Sequence, residues 1–131
     1  MEDVNANVKA LLVDDETDFR QLMAFWMKSK GYAVVEAANG EEAVTLARKE
    51  RPDIIFMDLN MPVMDGTEAL KKIREFDADV PVIIISAYVE DRKAKEAMKA
   101  GISGVFFKGK DFQEGLALLE AALHTHRKLK K

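Results

Sequence analysis

Apolar and polar positions alternate along this chain in two distinct rhythms. Short runs of consecutive apolar residues, Val8 to Val13, Tyr32 to Ala37, Ile54 to Met57, Val82 to Ile85 and Gly104 to Phe107, read as strands buried on both faces. Between them the apolar residues fall at helical spacing. Phe19, Leu22, Met23 and Trp26 occupy i, i+3, i+4 and i+7 and predict a first helix, with Gly31 as its stop. Asn39-Gly40 predicts a turn, and Glu41 to Glu50 a helix that buries Ala43, Val44 and Ala47 and closes before Pro52. The third strand is expected from Asp53 to Met57, and Pro62 and Asp65-Gly66 punctuate a loop after it. A helix with Leu70 and Ile73 inward then runs to about Phe76, and Pro81 is expected to open the fourth strand. Glu90 to Ala100 predicts a short Lys-rich helix stopped by Gly101, and a last helix from about Asp111 to Arg127 carries Phe112, Leu116, Leu119 and Leu123 on one face.

Strand and helix alternate five times, so the expected fold is α/β: a doubly wound, five-stranded parallel sheet with helices on both faces. With 131 residues and no linker or repeat, one domain is expected over 1–131, its core about 8–127. Apolar residues make up 48 % and charged residues 33 %, a globular balance. No apolar run approaches the roughly 20 residues of a spanning helix, and Met1-Glu2-Asp3 does not open like a signal peptide. The absence of cysteine excludes disulfides and thiolate metal sites. A net charge of −3 argues against bulk attraction to nucleic acid. These features lead us to expect a cytoplasmic protein with no membrane or direct nucleic-acid contact.

The chemistry lies at the ends of the strands. The first run ends in Asp14-Asp15, the third in Asp58, the fourth in Ser86 and the fifth in Lys108. Parallel α/β sheets bind ligands beyond the carboxyl ends of their strands, so three carboxylates, a hydroxyl and an ammonium are expected to converge. Singly, Asp14 and Ser86 suit helix caps, Asp58 a turn and Lys108 a solvated surface; independent structural roles do not require all five at one edge. Two carboxylates about 5 Å apart repel by roughly 3 kcal/mol at an effective dielectric of 20, so the cluster calls for a cation or a proton at a raised pKa. Mg²⁺ fits carboxylate oxygens combined with phosphate oxygens. Asp58 then suits an in-line nucleophile giving an acyl phosphate, with Lys108 neutralising charge on the transferred group.

With these residues placed, the chain resembles the receiver (CheY-like) domain of two-component response regulators from Lys9 to about Leu123. The resemblance rests on Leu11-Leu12-Val13-Asp14-Asp15-Glu16, the segment from Phe56 to Gly66, the segment from Pro81 to Ala87, and Ala100-Gly101, in that order and spacing. It implies a flavodoxin-like strand order 2-1-3-4-5 and a phosphoacceptor signalling domain rather than a turnover enzyme. Asp58 is expected to receive a phosphoryl group from a sensor histidine kinase or a histidine phosphotransfer domain. Asp15 and Asp58, Asp14 mostly through water, and the backbone carbonyl of Asn60 are expected to hold Mg²⁺. Ser86 and Lys108 are expected to pair with the phosphoryl group, small Ala87 to leave access to it, and Asn60 and Tyr88 to tune its hydrolysis. The expected assembly is a monomer or weak dimer that signals to an output partner the sequence does not name.

Two positions depart from the family pattern. Gly109 follows Lys108 where proline is usual, and Val105 occupies the place of the switch aromatic. Phe107 shares a strand face with Val105 by the period of two and is the aromatic expected to stand in, so that phosphorylation moves the face of the last two helices and fifth strand in a non-standard way. His124 and His126, beside Arg127, Lys128, Lys130 and Lys131, read as cations complementing a helix C-terminus. Two alternatives weigh against the lead reading. One is an aspartyl phosphatase of the haloacid dehalogenase type, disfavoured because Asp58-Leu59-Asn60 lacks its second aspartate and the acidic pair comes first. The other is a non-phosphorylated adaptor with a receiver-like fold.

Overall fold

The computed structural model describes residues 8–61, 64–87, 92–99 and 101–130. Five strands, β1 (Lys9–Val13), β2 (Ala33–Ala37), β3 (Ile54–Asp58), β4 (Val82–Ser86) and β5 (Gly104–Phe107), pair in parallel in the order β2-β1-β3-β4-β5. Five helices alternate with them: α1 (Thr17–Ser29), α2 (Gly40–Glu50), α3 (Gly66–Phe76), α4 (Arg92–Lys99) and α5 (Phe112–Lys130). The expected doubly wound fold and strand order are both observed.

Why the strands read as unbroken apolar runs is visible in the packing. Each central strand sends alternate side chains to two separate cores. Leu11, Val13, Ile55, Met57, Val82 and Ile84 meet Ala43, Ala47, Leu70, Ile73 and Ala97 from α2, α3 and α4. Ala10, Leu12, Ile54, Phe56, Ile83 and Ile85 meet Met23, Met27, Leu116, Leu119 and Leu123 from α1 and α5. With both faces covered, neither has room for a polar residue until the strand ends.

Several boundaries differ from the sequence-based expectation, each for a local reason. Asn39-Gly40 is the start of α2 rather than a separate turn. The Asn39 side chain accepts the Glu42 N–H at 2.8 Å, while Glu42 Oε2 accepts the Ala38 N–H at 3.0 Å, so the reciprocal cap draws Gly40 into the helix. Asp53 lies outside β3, its carboxylate taking the Lys9 N–H at 2.8 Å. Pro81 lies just before β4 and offers its carbonyl to the Ile55 N–H at 3.0 Å. Leu22 faces solvent, 52 % exposed, because the buried stripe of α1 runs through Met23, Ala24 and Met27. Trp26 packs against the core that α1 and α5 share with the sheet, its ring centroid 6.1 Å from that of Phe112 in α5. The expected Glu90–Ala100 helix is seen as α4, its flanks at 88–91 and 100 lying outside the described residues. Among the described residues, no helix is long and apolar enough to cross a membrane.

Candidate functional site

Parallel pairing brings the strand ends to one edge of the sheet. The Asp14 N–H donates to Ala37 of β2 at 3.1 Å, fixing the turn where β1 gives way to α1. Asp58 ends β3 opposite Ile85, and Ser86 ends β4 opposite Phe107. The Lys108 N–H then donates to the Ser86 carbonyl at 2.8 Å, continuing the ladder one residue beyond β5. Asp14, Asp58 and Ser86 are all buried, an environment that ordinary turn residues do not occupy.

The three carboxylates form one group. Asp14, Asp15 and Asp58 each offer an oxygen, and these atoms lie within 4.8 Å of one another, Asp15 on the solvent side. Asp14 Oδ1 accepts the Glu16 N–H at 2.8 Å, and Asp58 Oδ1 accepts the Asn60 N–H at 3.0 Å. The second oxygens turn toward Lys108, whose Nζ lies 3.0 Å from Asp14 Oδ2 and 3.6 Å from Asp58 Oδ2. Asp14 Oδ2 touches the ammonium yet accepts no aligned hydrogen bond among the described residues, leaving a buried oxygen with coordinating capacity for a cation. An oxygen-only set of this kind suits a hard divalent cation.

Burial and the neighbouring Asp14 charge push the Asp58 carboxyl up to about 7, against the opposing pull of the Asn60 N–H and of Lys108. Burial alone would lower the Lys108 ammonium, but its hydrogen bonds to Glu16 and Asp14 and the charges of Asp58 and Asp14 outweigh that and push it up to about 12. The lysine therefore remains cationic while one of its carboxylate neighbours resists ionisation. Such separation of neighbouring groups is typical of sites built for chemistry.

The remaining expected residues are placed as follows. Asn60 is two residues beyond Asp58, bonding it through the backbone, and Ala87 is exposed directly after Ser86. Tyr88 lies outside the described residues. Val105 packs against the core on the α2–α3–α4 side, while Phe106 points into the other core and Phe107 is half-buried at the strand end. Gly109 has φ 93°, and Lys110 donates its N–H to the Phe107 carbonyl at 3.2 Å. That is the sign of φ a type II turn needs at its third residue, and a proline ring cannot adopt it. No peptide bond among the described residues is cis, so the Gly109 departure is a change of turn, with Lys108 still at the carboxylates. His124 is exposed on α5, away from the core, and the His126 side chain is among those not described.

Sequence reasoning missed two contacts of Lys108. Glu16 Oε1 accepts a hydrogen bond from its ammonium, and the Phe19 ring lies beneath it, centroid 4.9 Å away. The position of Glu16 directly after the acidic pair was the available signal for the first; Phe19 had been absorbed into the core face of α1. A separate cleft of about 460 Å³ lies at the opposite edge of the sheet, lined by Arg74, Val80, Pro81, Ile102 and Ser103 among others, remote from the carboxylates.

Comparison with known proteins agrees with this geometry. The family model for the response regulator receiver domain matches residues 10–120. The chain belongs to that family, and so not to the haloacid dehalogenase phosphatases. It is 38 % identical to sporulation initiation phosphotransferase F of Bacillus subtilis over 108 residues, covering 82 % of this chain and 87 % of that protein. It is 35 % identical over 115 residues to the regulatory protein AtoC of Escherichia coli, covering 88 % of this chain but only 25 % of AtoC. The receiver domain of sensor histidine kinase PA1611 from Pseudomonas aeruginosa, solved with a magnesium ion coordinated in its active site cleft, superposes with a TM-score of 0.84. It is 29 % identical, with 91 % of this chain and 99 % of that one covered.

Proposed function

We propose that this chain is a phosphoacceptor module of a two-component system, acting as one receiver unit over about 8–127, with Asp58 as the acceptor. The observation that carries the reading is the gathering of Asp14, Asp15 and Asp58 oxygens within 4.8 Å of one another, beside the Lys108 ammonium. Asp14, Asp15, Asp58 and the Asn60 carbonyl would hold Mg²⁺, the ion named for the PA1611 receiver. Bound there, the cation supplies positive charge for the oxygens of the transferring group.

The chain's own residues perform the rest. An Asp58 carboxylate oxygen attacks the phosphorus of a phosphohistidine. The P–O bond forms as the P–N bond breaks, and the electron pair leaves with the imidazole, which takes up a proton. Lys108 and the Ser86 hydroxyl hold the equatorial oxygens. Ala87, lacking bulk, leaves the approach open, and Asn60 and Tyr88 tune hydrolysis of the acyl phosphate. Val105 and Phe107 on β5 carry the change toward the α4–β5–α5 face. The donor is a sensor histidine kinase or phosphotransfer domain, in a cytoplasmic setting, and the chain turns over no metabolite.

Incubation with Mg²⁺ and acetyl phosphate is expected to add the mass of one phosphoryl group to the wild type and none to Asp58→Asn. A wild type of unchanged mass would reject this reading in favour of a non-phosphorylated adaptor.

A further inference from the structure

Glu16 stands at the N-cap of α1 without using its side chain to cap the helix. The carboxylate turns back over the site, where Oε1 accepts a charge-assisted hydrogen bond from Lys108 Nζ even though the Glu16 side chain is 63 % exposed. Phe19, in the same first turn, lies beneath that ammonium and leans on Phe112 of α5, ring centroids 5.8 Å apart. Lys108 is thus held from α1. The residue after it, Gly109 at positive φ, imposes little restraint of its own.

We infer that Glu16 is a positioning residue that holds the Lys108 ammonium off Asp58 and competes for it with a phosphoryl group taken by the site. The inference rests on Asp58 being the acceptor. Lysine has three donors, and here Glu16 takes one and Asp14 Oδ1 another at 3.2 Å, while Asp58 Oδ2 stands at 3.6 Å. A phosphoryl group on Asp58 that draws the ammonium onto itself competes with Glu16 for it. The Glu16 carboxylate also places negative charge at the mouth by which an anionic donor arrives. The same charge attracts a cation. Removing it therefore shifts two affinities in opposite directions, weaker for the divalent cation and tighter for a phosphoryl mimic. Loss of a purely structural contact would weaken both.

The test compares Glu16→Gln with the wild type and with Asp18→Asn. Asp18 is exposed in the same first turn and is not among the contacts of Lys108. Exposed charge pairs are modest in strength, so each effect is expected to be roughly two- to five-fold. At saturating Mg²⁺, Glu16→Gln should accept phosphoryl from acetyl phosphate faster and bind beryllofluoride more tightly, while binding Mg²⁺ alone more weakly by amide shifts. Asp18→Asn should match the wild type throughout. Glu16→Gln and Asp18→Asn moving together would overturn the inference, as would beryllofluoride binding that is unchanged or weaker in Glu16→Gln. The Lys108 side-chain resonances give a readout that needs no phosphoryl group: they should move in Glu16→Gln, and their failure to move would overturn the hold itself. A wild type that takes no phosphoryl group would instead defeat the acceptor role of Asp58.

Discussion

Asp58→Asn is expected to unfold at a higher temperature than the wild type at about pH 8 and at nearly the same temperature at about pH 4. The wild-type carboxyl carries a folded-state pKa of about 7 against an ordinary value of 3.8, through burial first and the Asp14 charge second. Below the ordinary value both folded and unfolded chains keep this proton, and the site costs nothing. As pH rises from about 4 to 7 the unfolded chain releases the proton while the folded one retains it, so stability falls with pH across that window. Above about 7 the folded protein holds the uncompensated charge and the penalty is complete. One pKa unit corresponds to about 1.4 kcal/mol, which makes the gain for asparagine on the order of 2–4 kcal/mol. In thermal scans that is roughly a 10 °C rise. Asparagine can keep the acceptor oxygen that receives the Asn60 N–H, so little else is lost. Millimolar Mg²⁺ should raise the wild type toward the variant, because the cation compensates the charge that asparagine removes. Equal melting temperatures at both pH values would show that the three carboxylates impose no strain. The carboxylate group is thus expected to cost the fold stability in the absence of a cation, and to be held in place by the apolar strands behind it.

That edge was legible in the sequence because of topology. Strands buried on both faces must be continuous apolar runs, so the first polar residue after each run marks its end, and in a parallel sheet all those ends share one side. Asp14, Asp58, Ser86 and Lys108 could be assigned together for this reason. Helix faces were less legible. In α1 the apolar residues Leu22 and Phe25 lie outside the buried stripe, and periodicity alone gives them the same weight as Met23 and Met27. Gly109 read as a break in the family pattern, yet the turn from Phe107 to Lys110 needs its positive φ. Contacts between side chains distant in sequence were not legible at all. Glu16 and Lys108 are 92 residues apart, and nothing in composition or spacing tells a lysine which of several nearby carboxylates it will choose. The same holds for backbone approaches, where Asp65-Gly66 signalled a turn and concealed a packing requirement.

That requirement carries the second large effect: Gly66→Ala is expected to destabilise the fold and disable the site together. Gly66 opens α3 under the Asp65 cap, whose carboxylate accepts the Glu68 N–H at 3.1 Å, and its own N–H donates to the Leu59 carbonyl at 3.1 Å. A methyl group there would stand 2.3 Å from the Asp58 carbonyl oxygen and 2.8 Å from the Leu59 Cα. Both are backbone atoms of the strand end that carries Asp58, so no side-chain rotation relieves the clash. Either α3 moves outward or the strand end moves, and a shift of Asp58 spreads the carboxylate oxygens that now lie within 4.8 Å of one another. Overpacking of this kind costs about 1–3 kcal/mol or more, exceeding the roughly 1 kcal/mol that alanine gains over glycine in a helix. Gly115 in α5 is the matched control. The nearest atoms to its added methyl would be those of the Phe106 ring and Met23 Cε, at 3.4–3.5 Å, which is ordinary contact. Gly115→Ala should therefore be neutral or slightly stabilising, with Mg²⁺ binding and phosphoryl acceptance intact. Gly66→Ala should melt several degrees lower and, even at temperatures where it remains folded, bind Mg²⁺ at least tenfold more weakly, a loss of about 1.4 kcal/mol. If Gly66→Ala bound Mg²⁺ as the wild type does, α3 would be free to shift without the strand end, and the coupling between this helix and Asp58 would be refuted.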